Sequence, residues 1–130
     1  MIFKNYSESA ALLAQKIKEN FGTDFTLTFI NQESEAFAKK IADTLNTNLS
    51  GSINPHNLII IDNGSTLAVE YNEFTDKIRK THPGTNITLA IPIIPESEKA
   101  LLSENCDTLL YLHSDPYFFS LDQFYEEASF

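Results

Sequence analysis

One cysteine, nine cationic side chains and no long apolar run set the first limits on this chain of 130 residues. With Cys106 alone, an internal disulfide is excluded and no second thiolate is available for a metal site. Its neighbours in "ENCDTLLYL" are acidic, which disfavours a thiolate, so an inert, half-buried thiol is expected. Nine Lys and Arg against 18 Asp and Glu leave a formal net charge of −9. Such a surface repels nucleic-acid phosphates and anionic lipid head groups, and no basic run offsets it locally. Neither nucleic acid nor membrane is therefore an expected partner.

The longest apolar run falls far short of the ~20 residues of a membrane helix. The opening "MIFKNYSESA" lacks the apolar core of a signal peptide. Low-complexity segments and solenoid-period repeats are absent as well. A cytoplasmic protein is the resulting expectation. The apolar share of 42% and charged share of 21% argue against disorder, and the length suits one domain over 1–130 with a real core.

What the chain does have is an alternation of helical and strand periodicity. Ala10, Leu13, Ala14 and Ile17 recur at helical spacing, with Asn5 or Ser7 as cap and "NFG" as stop. "DFTLTFI" alternates Phe25, Leu27 and Phe29 with threonines, a strand pattern. Ser34 is placed to cap a second helix carrying Phe37, Ala38, Ile41 and Leu45. "NLSGSI" reads as a short strand and "NPH" as a turn. "NLIII" is a continuous apolar run typical of a strand buried on both faces. Leu67, Tyr71, Phe74 and Ile78 then form one helical stripe, stopped by "HPG". "NITLAIPII" predicts another strand, and Pro95 suits the first turn of a short helix reaching about Leu102. "DTLLYL" predicts the last strand, and the aromatic ending "HSDPYFFSLDQFYEEASF" is expected to pack back onto the body.

Strands alternating with helices predict an α/β fold, a mainly parallel sheet with helices on both faces. Ligands on such sheets bind outside the carboxyl ends of the strands, where strand order reverses. The loops at 30–35, 62–66, 92–96 and 112–117 are expected along that edge. Asp62, at the end of the buried run, is the leading candidate there. A carboxylate so placed can hold ribose hydroxyls or a hydrated Mg²⁺, and the helix start behind Ser65 and Thr66 can receive an anion. The competing reading has Asp62 making an Asx-turn with Gly64 while Ser65 or Thr66 caps the helix.

His56, His82 and His113 lie on separate turns without metal-ligand spacing, so no metal site is expected. His113 reads as a solvated turn residue and Asn57 as a strand-entry residue. Glu96 and Glu98 favour the positive end of the helix they begin. Phe118, Phe119, Phe124 and Tyr125 suit a base pocket or, more commonly, a core or subunit interface.

"NLIIIDNGSTLAVEYNEFTDKIRK" resembles the region around the 5-phosphoribosyl 1-diphosphate (PRPP) motif of type I phosphoribosyltransferases. "FKNYSESAALLAQKIK", "FTLTFINQESEAFAKKIADTLNTNL" and "NITLAIPIIPESEKALLSENCDTLLYLHSDPYFFSLDQFYEE" resemble, in order, other sections of the predicted phosphoribosyltransferases of bacteria. The likeness spans nearly the whole chain. It implies a phosphoribosyltransferase-like core and a place in nucleotide metabolism. It maps a remnant PRPP motif onto Asp62, Asn63, Gly64, Ser65 and Thr66, and a diphosphate loop onto Asn31, Gln32, Glu33 and Ser34.

The departures from that family are specific. Two acids contact the ribose hydroxyls in the family, and here the second is Asn63. The Thr/Gly-rich loop that wraps the 5′-phosphate is cut short after Gly64. The diphosphate loop carries Glu33 and Glu35 and no cation, so it repels a diphosphate. The stretch "SGSINPH" is too small for the strands that form a full hood over the base. A degenerate site with no catalytic residue is thus expected, acting through protein contacts, a homodimer, or weak binding of a nucleotide or phosphosugar. No cofactor is implied, apart from Mg²⁺ if PRPP binding survives. The alternative is an active or residual transferase moving ribose 5-phosphate from PRPP to a base. A phospho-accepting receiver domain is disfavoured, because Asp24 precedes its strand and no lysine follows Leu112.

Overall fold

A computed structural model describes residues 2–49, 56–66 and 68–130. In chain order it contains α1 (Tyr6–Phe21), β1 (Thr26–Phe29), α2 (Glu35–Thr44), β2 (Asn57–Ile61), α3 (Ala68–Thr81), β3 (Asn86–Pro95), α4 (Lys99–Glu104) and β4 (Thr108–Asp115). Short 3₁₀ turns occupy Gln32–Ser34, Glu96–Glu98 and Leu121–Phe124. The four strands form one parallel sheet in the order β1-β2-β3-β4.

One isolated bridge reveals how the chain is wound. Leu27 pairs with Ile59 on one side, and Leu49 forms a parallel bridge to Leu27 on the other. After α2 the chain therefore touches the outer side of β1 before β2 forms on the inner side. Strand order reverses between β1 and β2. Right-handed crossovers running in opposite directions must place their helices on opposite faces. The packing agrees: α1 and α2 share one apolar cluster with Leu27, Ile59, Ile61, Ala90 and Leu110, whereas Tyr71 and Ile78 of α3 and Leu102 of α4 share another with Leu58, Ile60, Ile87 and Leu89.

Residues 58–61 alternate between these two clusters and are all essentially inaccessible. That is why the run is apolar throughout, and each such side chain contributes roughly 1.5–3 kcal/mol by burial. β3 is buried from Ile87 to Ile94 even though it contains Pro92. The ladder to β4 passes from Ile91–Tyr111 to Ile93–His113, leaving out the residue with no N–H to give.

The ends of the elements show what local chemistry decided. Asn5 caps α1 by accepting from the Glu8 N–H at 3.0 Å, and Gly22 stops the helix at φ 61° with its N–H on the Lys18 carbonyl. Four expectations need correction. Ser34 makes no side-chain cap to α2; Asn31 accepts from the Ser34 N–H instead. Pro95 ends β3 and precedes a 3₁₀ turn, rather than sitting inside the helix. β4 continues through His113 and Asp115, so His113 is a strand residue paired to Asp115 at 2.9 Å. Residues 92–95 and 112–115 accordingly extend the sheet, and the edge loops there begin later. Asn57 does open its strand, bonded to the Asp24 carbonyl at 2.9 Å and to Asn86 at 2.8 Å.

The ending packs on the body through Phe124 and Tyr125, which join Phe3 and Ile93 in a third cluster. The Ser9 hydroxyl meets the Tyr125 hydroxyl at 2.7 Å in the interior. Cys106 is half-buried, and burial pushes its thiol up. Leu67, most of the "NLSGSI" strand and the hood-equivalent stretch lie outside the described residues, apart from the bridge at Leu49. Among the described residues no helix is long and apolar enough to cross a membrane.

Candidate functional site

The reversal of strand order places the ends of β1 and β2 side by side, and the candidate residues gather there. The β1–α2 loop brings Asn31, Gln32, Glu33 and Ser34. The β2–α3 loop brings Asp62, Asn63, Gly64, Ser65 and Thr66. The Asp62 N–H is held by the Ala90 carbonyl at 3.1 Å, which fixes the residue against the end of the sheet.

Asp62 is fully buried, and its two carboxylate oxygens receive five protein donors. Oδ1 accepts from the Ser34 hydroxyl at 2.7 Å and the Thr66 hydroxyl at 2.5 Å. Oδ2 accepts from the Tyr71 hydroxyl, the Gly64 N–H at 3.0 Å and, at 3.4 Å, the Thr66 N–H. A carboxylate has roughly four lone-pair sites, so this one is filled from within. The Asx-turn to Gly64 is present, but it is only one strand of a larger knot. Ser34 leaves its helix uncapped because its hydroxyl is on Asp62, while its oxygen also accepts from the Asn63 N–H at 3.2 Å.

The knot has an outer layer. The Asn31 amide donates to the Thr66 hydroxyl at 3.0 Å and reaches Glu70 at 3.5 Å. A donor that is itself hydrogen-bonded in this way is polarised toward Asp62. Asn63 turns its side-chain oxygen to Ser65, accepting from the backbone N–H at 2.9 Å and the hydroxyl at 2.6 Å. Glu33 is exposed on the rim, 3.4 Å from the Ser65 hydroxyl. Gly64 adopts φ 107°, and a Cβ there would meet Leu121 Cδ1 at 3.0 Å and the Ile93 carbonyl at 3.2 Å. Both the backbone angle and the approach of the ending require glycine.

By sequence pattern Tyr71 is only one position of an apolar stripe. Its ring does sit in the α3-side core, but its hydroxyl closes the knot. Burial, then the negative charge and hydrogen bond of Asp62, push its phenol well above the ordinary value. The signal was available in principle: a tyrosine on a buried stripe needs a partner for its O–H, and Asp62 lies nine residues earlier.

The other end of the same edge is more open. Asp115 accepts from the Tyr117 N–H at 2.8 Å and faces His113. The hydrogen bond from His113, then that from Tyr117, hold its carboxyl below the ordinary range. Tyr117 and Phe119 project into solvent on a turn fastened by Gln123, which accepts from the Phe119 and Ser120 N–H groups and donates to the Tyr117 carbonyl. Of the aromatic candidates, Phe124 and Tyr125 are core, Phe118 is packed against them, and Phe119 is exposed.

No family model matches the sequence, and no curated protein matches it. In structure the chain is similar to orotate phosphoribosyltransferase from Aeropyrum pernix, with a TM-score of 0.65 at 13% identity over 84% of this chain and 70% of that one. It is also similar to a hypoxanthine-guanine phosphoribosyltransferase from Bacillus anthracis, with a TM-score of 0.62 at 11% identity over 95% of this chain and 88% of the other. At such identities the likeness is one of architecture, and on that ground this chain carries the phosphoribosyltransferase-like fold.

Proposed function

We propose that this domain does not transfer phosphoribosyl groups, and that it acts through protein contacts or weak binding of a nucleotide or phosphosugar. The observation that carries this reading is the closed shell of Asp62: a fully buried carboxylate with five internal donors has no oxygen to offer a ribose diol or Mg²⁺. Charge supports it further. The loop after β1 and the first residue of α2 present Glu33 and Glu35 where a diphosphate leaving group would need a cation. Transition-state stabilisation in such reactions rests on preorganised charge, and losing one donor costs roughly 10²–10³ in rate. Several losses in one site need not add, but two suffice to push turnover below detection.

The second reading is a residual transferase. It draws on the fold, and on Asp62 standing at the carboxyl end of the strand beside the reversal point. It requires the Ser34, Thr66 and Tyr71 hydroxyls to release Asp62 when substrate arrives. Calorimetric titration with PRPP–Mg²⁺, ribose 5-phosphate and nucleoside monophosphates separates the two, together with assays of diphosphate release with adenine, hypoxanthine, guanine, xanthine, uracil and orotate. No release is expected. Sustained release that disappears in a folded Asp62→Asn variant establishes the transferase reading.

Contacts with a partner or a second copy of the chain are assigned to Tyr117 and Phe119, which are exposed on a hydrogen-bonded turn. Light scattering at tens of micromolar, repeated on the double variant Tyr117→Ser, Phe119→Ser, tests the dimer without removing Phe124 or Tyr125 from the core.

A further inference from the structure

The two edges of the sheet end differently. On the outer side of β1 the chain bridges to Leu27 at Leu49, whereas no described strand lies on the outer side of β4. β4 is eight residues long, and from Thr108 to Ser114 it carries no Lys, Arg, Glu or Pro. A free strand edge of this kind pairs with another chain unless something blunts it.

Lys16 lies across this edge. Its helix, α1, packs on one face of the sheet, while the Tyr111 ring packs on the other face with α3 and α4. Yet Lys16 Nζ donates to the Tyr111 carbonyl at 2.7 Å and stands 5.6 Å from the centre of the Tyr111 ring. A side chain from the α1 face reaches both only by passing around the free edge. Lys99, at the start of α4, stands over the same ring at 5.0 Å, so two cations meet at the middle of β4 in a chain of net charge −9.

We infer that the outer edge of β4 is a strand-addition site latched by Lys16, and that the strand it takes is β4 of a second copy, running antiparallel. Symmetry and charge fix the register. Residues directly opposite each other in an antiparallel pair are of one hydrogen-bonding kind, so the twofold axis passes through a residue. An axis at Tyr111 sets Asp115 against Asp107 of the second copy, and like charges so placed are destabilising. An axis at Leu112 gives Asp115 only Leu109. An axis at His113 sets Asp115 against Tyr111 of the second copy, beside its Lys99, and is the complementary choice. With the outer side of β1 already met at Leu49, the pairing closes at two copies. Lys16 must leave the Tyr111 carbonyl before an added strand can use that acceptor, so the latch sets the strength of association. This goes beyond the function proposed above, because the contact is made by the β4 backbone and not by the side chains of Tyr117 and Phe119.

Sedimentation velocity of the full chain carrying Tyr117→Ser and Phe119→Ser tests the inference apart from the contact assigned to that turn. In this background Lys16→Met keeps the apolar stem and removes the donor and its charge. It should dimerise at least about tenfold more tightly than the chain with Lys16 or with Lys16→Arg, the worth of one charge-assisted hydrogen bond. Adding Asp115→Lys to Lys16→Met should reverse the gain, since it sets a cation against Lys99. Amide hydrogen exchange at Tyr111 and His113 should slow in Lys16→Met as its concentration rises. Lys16→Gln, which also removes the charge, replaces Lys16→Met if that variant melts early. Association no tighter without the Lys16 charge overturns the inference. So does an equal gain with Lys16→Arg, a gain that survives Asp115→Lys, or growth past two copies.

Discussion

Two parallel strands of this molecule lead into an aspartate at the same edge of the sheet, and the two carboxylates lie in opposite surroundings. Asp62, after β2, is buried beneath five donors drawn from the β1–α2 loop, its own loop and α3. Asp115, ending β4, is partly open to solvent and shares its charge with one histidine and one backbone N–H. The position that fold alone marks as the ligand site is the closed one. A carboxylate at a strand reversal can serve a ligand or hold the strand ends together, and the count of internal donors decides which. At Asp62 that count favours the second role.

The largest test of this contrast is removal of the buried group. Asp62→Ala leaves three hydroxyls and two N–H groups facing a void, and stability should fall by on the order of 4 kcal/mol. Urea unfolding monitored by tyrosine fluorescence measures it. If Asp62 were an open ligand-binding residue, the substitution would be nearly neutral or stabilising.

Tyr71→Phe comes next. It keeps the ring in the α3-side core and removes one donor, for a loss of about 1.5–2 kcal/mol. It also changes the alkaline limb. The Tyr71 phenol is held protonated above its ordinary 10.0 in the folded state, so its contribution is intact below pH 10 and declines as pH rises toward the folded value. Tyr125, pushed up to about 12 mainly by burial, acts in the same direction between those limits. Wild-type stability should therefore drop above pH 10, and Tyr71→Phe should flatten part of that drop. An unchanged alkaline slope would separate Tyr71 from the knot.

Ser34→Ala is expected to cost less, about 1–2 kcal/mol, because it removes one donor to Asp62 and one acceptor for the Asn63 N–H. A double-mutant cycle with Tyr71→Phe should show coupling, since both act on one carboxylate. Strict additivity would mean that the two hydroxyls do not share a network.

These residues also show what the sequence could and could not reveal. Residues 58–61 were legible because a strand covered on both faces must be apolar at every position. The parallel sheet followed from helix and strand periods in alternation. The knot was less legible, because each member had an adequate local explanation: Ser34 as a helix cap, Tyr71 as an apolar stripe, Gly64 as a turn. Only proximity across the β1–β2 reversal gives all three the same partner. By composition "HSD" resembles a turn, so local pattern alone ends β4 at Leu112. Pairing to the long β3, with Ile93, Ile94 and Pro95 opposite His113, Ser114 and Asp115, is a tertiary effect that outweighs that local preference.

The smallest effect should come from the open carboxylate. Asp115 is held below its ordinary 3.8 in the folded state, first by the His113 hydrogen bond and then by the Tyr117 N–H. A carboxyl with a depressed folded value stabilises above its unfolded value, and the contribution is lost as pH falls through the folded one. At neutral pH water solvates whatever Asp115 gives up, so Asp115→Asn should leave the urea midpoint unchanged. Whatever small contribution survives that screening should begin to decline as pH falls below 3.8, and should be gone only once pH has passed the lower folded value. The informative comparison is with Asp62→Asn measured in parallel. The same one-atom change should lower the midpoint clearly after β2, where the new amide turns an N–H toward donors, and do nothing after β4. Equal midpoints for the two variants would show that burial at Asp62 carries no structural weight, and would reopen that carboxylate as a ligand-binding group.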